Sequence, residues 1–407
     1  MTAPAVATVT LDDIAAAREL LQGVIEPSPL QSSRSLSELA GVPVHLKCEN
    51  LQRTGSFKLR GAYVRIAKLS PEEQAQGVVA ASAGNHAQGV ALAATLLGTR
   101  STVFMPAGAP ITKEKATRQY GADVRLVGSS VDHALQAARD FAGSTGAVFI
   151  HPFDHPDIVA GQGTIGLELL DQLPDCATVI VAVGGGGLAA GIATAMHSRR
   201  PDVRMVGVQA EKAAAYPPSL AAGRPLTVNL GTTMADGIAL SRPGDVPFAA
   251  IQEHVDQLVT VSEESLSSAL LILLERAKLV VEPSGAAAAA ALLDSPGAFE
   301  GPVAVILSGG NIDPLLLMHV MRHGLAAERR YLILRVRIPD RPGELVRMLD
   351  ELAGLQVNVI EVVHERTSAR LNVDEVEVSV QVETRGADHC NRCTERLREA
   401  GYAVSID

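Results

Sequence analysis

Short, unbroken apolar segments alternate with helical patterns through the first 320 or so residues of the chain. The apolar segments include residues 78–81, 179–183 and 303–307. The first two are followed by helical periodicity over about residues 86–97 and 188–197. Strands that are apolar on both faces and alternate with helices are typical of a parallel sheet covered on both sides. The pattern predicts an α/β fold that binds its ligands at the carboxyl ends of the strands.

The pattern changes near residue 329. We predict strands at about 332–338, 357–363, 376–382 and 402–406, and helices at about 344–353 and 389–400. This β-α-β-β-α-β order is that of a ferredoxin-like unit, which forms a domain of its own. We therefore expect two domains, residues 1–325 and 329–407, with a smaller α/β subdomain at about 78–152 inserted in the first.

Length, charge and composition exclude several classes of protein. A chain of 407 residues is longer than one hydrophobic core usually supports, which agrees with two domains. The net charge of -10, without a basic stripe, argues against a nucleic-acid partner. No run approaches the roughly 20 apolar residues of a membrane helix, and no signal peptide is evident. Four cysteines make no disulfide framework, so we expect a cytoplasmic protein.

Lys58 is the first candidate for chemistry. A lysine near a helix start is most often a solvated surface charge. Here Phe57 offers an apolar face beside it, and the turn at Gly55 and Ser56 offers free amides. A desolvated lysine becomes a nucleophile and base at neutral pH, so we expect Lys58 to form an imine with a carbonyl group.

A glycine turn between a predicted strand and a helix is the second candidate. It consists of Gly184, Gly185, Gly186, Gly187 and Leu188. Backbone amides and the helix dipole converge at such a turn and bind phosphate. The same residues fit a dinucleotide fingerprint, with Glu211 at the end of the next strand in the place of a ribose-binding acid. Taken alone, the turn leaves both interpretations open, together with a purely structural one.

Ser308 follows the strand at 303–307 and precedes two glycines. It is either part of a simple strand-ending turn or a neutral hydroxyl partner for a pyridine nitrogen. An imine-forming lysine, a phosphate cradle and this hydroxyl together describe a site for pyridoxal 5'-phosphate, whereas a nicotinamide enzyme has no use for Lys58 or Ser308. The lysine and the serine therefore favour pyridoxal phosphate.

A fourth run lies at another strand-to-helix junction and would bind a substrate carboxylate through open amides. It consists of Ser82, Ala83, Gly84, Asn85 and His86. Asn85 is either a helix cap or a partner of the cofactor's ring oxygen. Gly237 and Glu282 are further pocket candidates. Cys390 and Cys393 form a single pair without a second one, which argues against metal binding.

In this order, the four runs resemble the threonine/serine dehydratase family of fold type II pyridoxal phosphate enzymes, over about residues 10–325. The resemblance implies two open parallel α/β sheets and deamination of L-threonine to 2-oxobutanoate and ammonia, with L-serine a poorer substrate that gives pyruvate. It implies Lys58 as the Schiff-base lysine. The cofactor contacts that the resemblance implies are Asn85, residues 184–188 and Ser308. We expect Phe57 to contact the cofactor as well.

Related activities differ from this pattern. Serine racemases resemble this chain but carry a serine in place of Ala83, and that serine is their second proton donor. They also bind a divalent metal after the strand at Val208, where residues 209–215 here have fewer acids than such a site needs. We therefore expect no metal, and we disfavour racemisation. An L-serine dehydratase, a nicotinamide-dependent oxidoreductase and a catalytically silent amino-acid sensor remain alternatives.

The last 79 residues resemble an ACT domain, a module that senses amino acids, and carry its usual loop at residues 340–345. The resemblance implies a homodimer or homotetramer whose paired ACT domains bind an amino-acid effector. Isoleucine is the natural inhibitor, opposed by valine, because 2-oxobutanoate feeds isoleucine biosynthesis. The expected effector residues are Gly343, Glu344, Leu345, Asn358, Val359 and Ile360.

Overall fold

A computed structural model describes residues 8–366 and 371–406. The chain divides into two compact units, Met1–Pro314 and Leu315–Asp407. The division falls earlier along the chain than the change in composition, so that a helix beginning at Pro314 lies in the second unit except for its first residue.

Two sheets form the framework of the first unit. Their strands, in chain order, are β1 (Leu30–Ser32), β2 (Val44–Cys48), β3 (Val78–Ala81), β4 (Ser101–Met105), β5 (Asp123–Leu126), β6 (Val148–Phe149), β7 (Thr178–Ala182), β8 (Arg204–Ala210), β9 (Gln257–Val261) and β10 (Val303–Leu307). The larger sheet has the order β1-β2-β10-β7-β8-β9 and the smaller the order β5-β4-β3-β6. All neighbours are parallel except the edge pair β1 and β2. The predicted α/β fold is confirmed.

Helices pack on these sheets. They are α1 (Leu11–Leu20), α2 (Arg34–Ala40), α3 (Lys58–Ala67), α4 (Pro71–Gln76), α5 (Asn85–Leu96), α6 (Ile111–Gln119), α7 (Val131–Thr145), α8 (Pro156–Gln172), α9 (Gly187–Arg199), α10 (Tyr216–Ala221), α11 (Asp245–His254), α12 (Glu263–Ile272) and α13 (Pro283–Asp294). Short helical turns lie at Glu49–Leu51, Glu211–Ala213, Asp236–Ile238 and Leu273–Ala277. Because β3, β7 and β10 are buried along their whole length, they show the continuous apolar runs seen in the sequence.

The second unit has one antiparallel sheet. Its elements are α14 (Pro314–Ala327), β11 (Tyr331–Pro339), α15 (Glu344–Gly354), β12 (Asn358–Glu365), β13 (Glu375–Glu383), α16 (Ala387–Glu399) and β14 (Ala403–Ile406). The strand order is β12-β13-β11-β14, and the predicted β-α-β-β-α-β sequence is confirmed. Every second residue of β11 and β13 is buried. Cys390 and Cys393 lie in the same core, which explains them as packing residues. In the described part of the chain, no helix has the length and apolar character needed to span a membrane.

Candidate active site

Lys58 begins α3 and lies partly buried against its neighbours. Its Nζ donates to the carbonyl oxygen of Pro152 at 3.1 Å and lies 4.9 Å from the centroid of the Phe57 ring. Burial lowers the pKa of this amine to about 8, although the negative charge of Glu282 opposes the shift. An appreciable fraction of Lys58 is therefore neutral, and nucleophilic, near neutral pH.

The glycine turn follows β7 and forms the N-terminus of α9. Among the described residues, none of the backbone amides from Gly184 to Leu188 has a protein acceptor. Gly186 has a φ of 103°, and a Cβ there would overlap the Tyr216 hydroxyl. A Cβ on Gly185 would overlap the ring of Phe153, the residue after the Lys58 acceptor. Only glycine fits at positions 185 and 186, and the free amides of the turn make an anion site.

Ser308 follows β10 and lies next to the start of α3. Its carbonyl accepts from the Phe57 amide at 3.2 Å, and Gly309 forms a bridge with Ser56. Ser308 is buried, and its hydroxyl has no hydrogen-bond partner in the described part of the chain. The structure thus brings the lysine and serine runs together, 250 positions apart in the sequence.

The fourth run connects β3 to α5. The Ser82 hydroxyl accepts from the Gly84 amide at 3.0 Å, and the first amides of α5, from Asn85 on, have no acceptor within the described ranges. The His86 ring bonds the Ile150 carbonyl at 2.8 Å, and burial lowers its pKa to about 3. His86 is therefore a neutral packing residue that can offer a ligand only its amide, while Ala83 contributes a methyl group.

Asn85 is held from both sides, by the residue that precedes α13 and by a residue of the loop after β10. Its Nδ2 donates to Oε1 of Glu282 at 2.5 Å, and its Oδ1 accepts from Nδ2 of Asn311 at 2.8 Å. Glu282 is almost fully buried, and burial raises the pKa of its carboxyl to about 7 despite the opposing charge of Lys113. The structure therefore places Glu282 in the same cluster as Asn85 and Lys58.

Gly237 lies in the short turn Asp236–Ile238, next to the glycine turn. A Cβ on Gly184 would lie 3.0 Å from the Cα of Ile238, and one on Gly237 would lie 3.0 Å from the Ser284 hydroxyl. That hydroxyl is buried without a partner among the described residues. Asp236 reaches across to Lys113 of the smaller sheet's helix α6, with 3.5 Å between Nζ and Oδ2. This ion pair thus connects the turn that contains Gly237 with a helix beside the smaller sheet.

Five further residues lie in this cluster without having been predicted from the sequence: Pro152, Phe153, Asn311, Lys113 and Ser284. Pro152 and Phe153 follow β6, a strand of only two half-buried residues that offers no apolar run to recognise. Asn311 was visible as the end of the Ser-Gly-Gly-Asn run, directly after a strand. Its position after a strand is the one sequence feature that could have pointed to any of these five residues.

The expected effector residues lie in the second unit. Gly343, with a φ of 89°, caps the start of α15, and Asn358 to Ile360 begin the edge strand β12. No hydrogen bond or ion pair between described residues joins these two segments. In the described ranges, no group of three or more histidine, cysteine or acidic side chains could hold a metal ion. Within residues 209–215, the Gln209 side chain donates to the Val183 carbonyl and accepts from the Tyr216 amide.

The residues of the first unit fit pyridoxal phosphate. Lys58 supplies an amine of lowered pKa for the cofactor's carbonyl carbon, and the free amides of the glycine turn supply an anion site. The unpartnered hydroxyl of Ser308 can meet a ring nitrogen without protonating it. The second hydrogen of Asn85 Nδ2 has no acceptor in the described part of the chain and can meet the ring oxygen.

Known proteins resemble this chain closely. An L-threonine ammonia-lyase of Thermotoga maritima is 44% identical over 398 residues, 98% of this chain and 99% of that protein. The crystal structure of a threonine deaminase from T.th. superposes with a TM-score of 0.72 at 42% identity, over 75% of this chain and 99% of that one. Maize serine racemase superposes with a TM-score of 0.73 at 33% identity, over 79% of this chain and all of that one. The model of the family "Pyridoxal-phosphate dependent enzyme" matches residues 21–309. The chain belongs to the family of pyridoxal-phosphate dependent enzymes.

Proposed function

We propose that this protein deaminates L-threonine to 2-oxobutanoate and ammonia, and L-serine more slowly to pyruvate. The observation that carries the proposal is the buried amine of Lys58, with its pKa of about 8, beside an anion-binding turn and an amide-rich helix start. The relatives described above, named for activity on threonine, support the choice of substrate. The α-proton and the β-hydroxyl group are lost as one molecule of water, and the released aminocrotonate takes up water to give 2-oxobutanoate and ammonia.

Each group in the site has a part in this reaction. Bound pyridoxal phosphate supplies an electron sink that acidifies the α-hydrogen of the substrate. Lys58 takes that proton as general base, because its lowered pKa leaves part of the amine neutral. The turn at residues 82–86 would bind the substrate carboxylate through the free amides of Asn85 and His86 at the start of α5, and the amides of residues 184–188 would hold the cofactor's phosphate. Ser308, a neutral partner for the ring nitrogen, suits rapid loss of a leaving group.

The visible absorption spectrum tests the cofactor and the reaction together. We expect a yellow protein whose band changes when L-threonine is added, while 2-oxobutanoate accumulates. Lys58→Ala should lose at least about 100-fold in turnover, as expected for removal of a general base. Lys68→Ala is the matched control, because Lys68 follows the last residue of the same helix and pairs with Asp157 at the surface. Near-normal turnover by Lys58→Ala would end the assignment.

Two alternatives predict different products. A serine racemase needs a second proton donor, and the methyl group of Ala83 cannot be one; chiral analysis of L-serine incubations should therefore find pyruvate and no D-serine. A nicotinamide enzyme would use the glycine turn with Glu211, which is exposed, and would leave Lys58 without a role. A colourless protein stabilised by NAD would support that alternative.

Regulation by an amino acid is the second part of the proposal. We infer that the second unit is an ACT domain that pairs with another copy and binds isoleucine, which slows the enzyme in isoleucine biosynthesis in the cytoplasm. The βαββαβ topology supports this, and the match to the Thermotoga maritima protein extends through this unit. The proposed effector residues, 343–345 and 358–360, include exposed apolar Ile360 on the edge strand.

Titration calorimetry on the full chain tests this proposal. Asn358→Ala should weaken isoleucine binding and its effect on turnover, while threonine turnover without effector stays unchanged. Asn391→Ala, an exposed asparagine on α16 of the same unit, serves as the control. Sedimentation shows whether the full chain is a dimer or tetramer. Isoleucine binding that is unchanged in Asn358→Ala would place the effector elsewhere.

A further inference from the structure

A chain of three polar side chains crosses the cluster next to Lys58. Asn311 Nδ2 donates to the Thr54 carbonyl oxygen at 2.7 Å and to Asn85 Oδ1 at 2.8 Å, and Asn85 Nδ2 donates to Glu282 Oε1 at 2.5 Å. These residues come from three separate parts of the first unit: the loop after β10, the start of α5 and the residue that precedes α13.

The direction of this chain is determined at one end. The Thr54 carbonyl can only accept, so the nitrogen of the Asn311 amide must face it. The same nitrogen uses its second hydrogen on Asn85, which must therefore present its oxygen to Asn311 and its nitrogen to Glu282. Glu282, an acceptor when ionised, completes the order. One hydrogen of Asn85 Nδ2 then remains, so the nitrogen side of the Asn85 amide can donate to a ligand.

The surroundings of Glu282 maintain this arrangement. Gly309 lies against the junction, since a Cβ there would overlap Glu282 Oε1 and lie 3.0 Å from Asn85 Nδ2. The Glu282 amide also donates to the Gly309 carbonyl at 3.0 Å. The charged groups that act on its carboxyl are Lys58 of α3, Lys113 of α6 and Asp236 of the turn Asp236–Ile238. Burial and the charge of Asp236 raise the pKa of Glu282, whereas the two lysines lower it; in either protonation state a carboxyl oxygen can accept from Asn85.

We propose that Glu282 and Asn311 are positioning residues that fix the orientation of the Asn85 amide, so that its nitrogen donates a hydrogen bond to the ring oxygen of the cofactor. The inference rests on the proposed function, since it takes Asn85 as a cofactor contact. It goes further because it gives a role to two residues that do not touch the cofactor, Glu282 and Asn311. It also states which group of Asn85 faces the ring oxygen. A donor at this position stabilises the ionised ring oxygen. Breaking the hydrogen bonds that orient Asn85 should therefore change both the affinity for the cofactor and the colour of the bound cofactor.

Three variants test whether the direction of the Asn311–Asn85–Glu282 hydrogen bonds matters, or only their presence. Glu282→Gln keeps an acceptor and should leave the dissociation constant of pyridoxal phosphate within about threefold of wild type. Glu282→Ala removes the acceptor and should weaken binding about tenfold or more. Asn311→Asp cannot donate, so Asn85 must turn its nitrogen toward position 311; binding should weaken at least as much, and the visible band should shift.

Asn50→Asp is the matched control, because buried Asn50 donates to the Val280 carbonyl at 3.1 Å and packs beside Gly310 without touching Asn85. It should keep the wild-type band. Wild-type affinity and colour in Asn311→Asp, or an equal change in Asn50→Asp, would overturn the inference. If Glu282→Ala does not fold, the pair Glu282→Gln and Asn311→Asp decides. These readouts need no turnover, so a wild-type protein inactive on threonine would refute the proposed function separately.

Discussion

The amine of Lys58 and the carbonyl oxygen of Pro152 form a hydrogen bond of 3.1 Å between residues 94 positions apart. Pro152 belongs to the segment after β6, whose next residue, Phe153, packs against the glycine turn. One short segment therefore connects the nucleophile with the anion site. The carbonyl also gives the amine a partner when no ligand is bound, which keeps Lys58 in place inside a partly buried pocket.

Uptake of pyridoxal phosphate by the cofactor-free protein should depend on pH with a midpoint near 8. Only the neutral amine reacts, and burial lowers the Lys58 pKa from 10.5 to about 8. At pH 7 about one-tenth of the amine is then neutral, compared with about one part in 3,000 for an ordinary lysine. The rate, followed by absorbance, should rise about tenfold from pH 6 to 7 and level off above pH 8.5 or so.

Reaction of the cofactor with a lysine model compound, measured over the same range, provides the control, since its rate should still be rising at pH 10. The prediction fails if uptake by the protein also continues to rise there.

Gly186→Ala should destabilise the protein by about 2 kcal/mol or more and weaken cofactor binding. The substituted residue would have to adopt a φ of 103°, and its Cβ would overlap the Tyr216 hydroxyl. Gly143→Ala is the comparison: Gly143 is exposed in helix α7, and no atom lies within 4 Å of an added Cβ. That change should instead stabilise by about 0.5–1 kcal/mol. Urea unfolding measures both, and equal effects would contradict the role of the turn.

Glu282→Gln should make the cofactor-free protein more stable than wild type above pH 7 and about equally stable near pH 5. Burial raises the Glu282 pKa from 4.5 to about 7, so the folded state binds the proton more tightly than the unfolded state. The wild type therefore loses stability as the pH rises through about 7, by about 3 kcal/mol in full, whereas glutamine does not titrate. Thermal melts from pH 5 to 8.5 test this. A gap between the variants that does not widen with pH would disprove it.

Arg60→Met should cost about 3–5 kcal/mol of unfolding free energy, because it leaves buried carboxylates unpaired. The Arg60 guanidinium is fully buried and bonds Glu49 at 2.8 Å and Glu168 at 2.6 Å, and Lys47 completes a neutral cluster. Arg60 follows Lys58 by two residues on α3, so stability rather than turnover is the informative measurement. Arg34→Ala, which breaks the exposed pair with Glu38, should leave the unfolding free energy nearly unchanged. A small loss in Arg60→Met would contradict the prediction.

Much of the fold was predictable because local patterns reflect burial directly. The strands β3, β7 and β10 are buried on both faces, so their sequences are continuous apolar runs with polar turns at their ends. Asn85 and Ser308 were candidates for the site because they follow such strands. Lys58 indicated the kind of chemistry to expect there. Their roles toward the cofactor stay predictions.

Other features had no local signal. The antiparallel strand β1 has three residues, none fully buried, so it shows no apolar run. Glu282 and Asn311 are ordinary polar residues in the sequence, and their importance lies in the hydrogen bonds to Asn85. The same holds for Pro152, whose significance is its position within reach of Lys58.

The sequence by itself determined the α/β and ferredoxin-like classes and the family, because strand burial, helix periodicity and glycine turns are properties of neighbouring residues. Only the tertiary structure decided which groups share one pocket and in which protonation state. The pKa shifts of Lys58 and Glu282 arise from desolvation and from charges that are distant along the chain. The direction of the Asn311–Asn85–Glu282 chain likewise depends on a backbone carbonyl, that of Thr54, which the folded chain brings to Asn311.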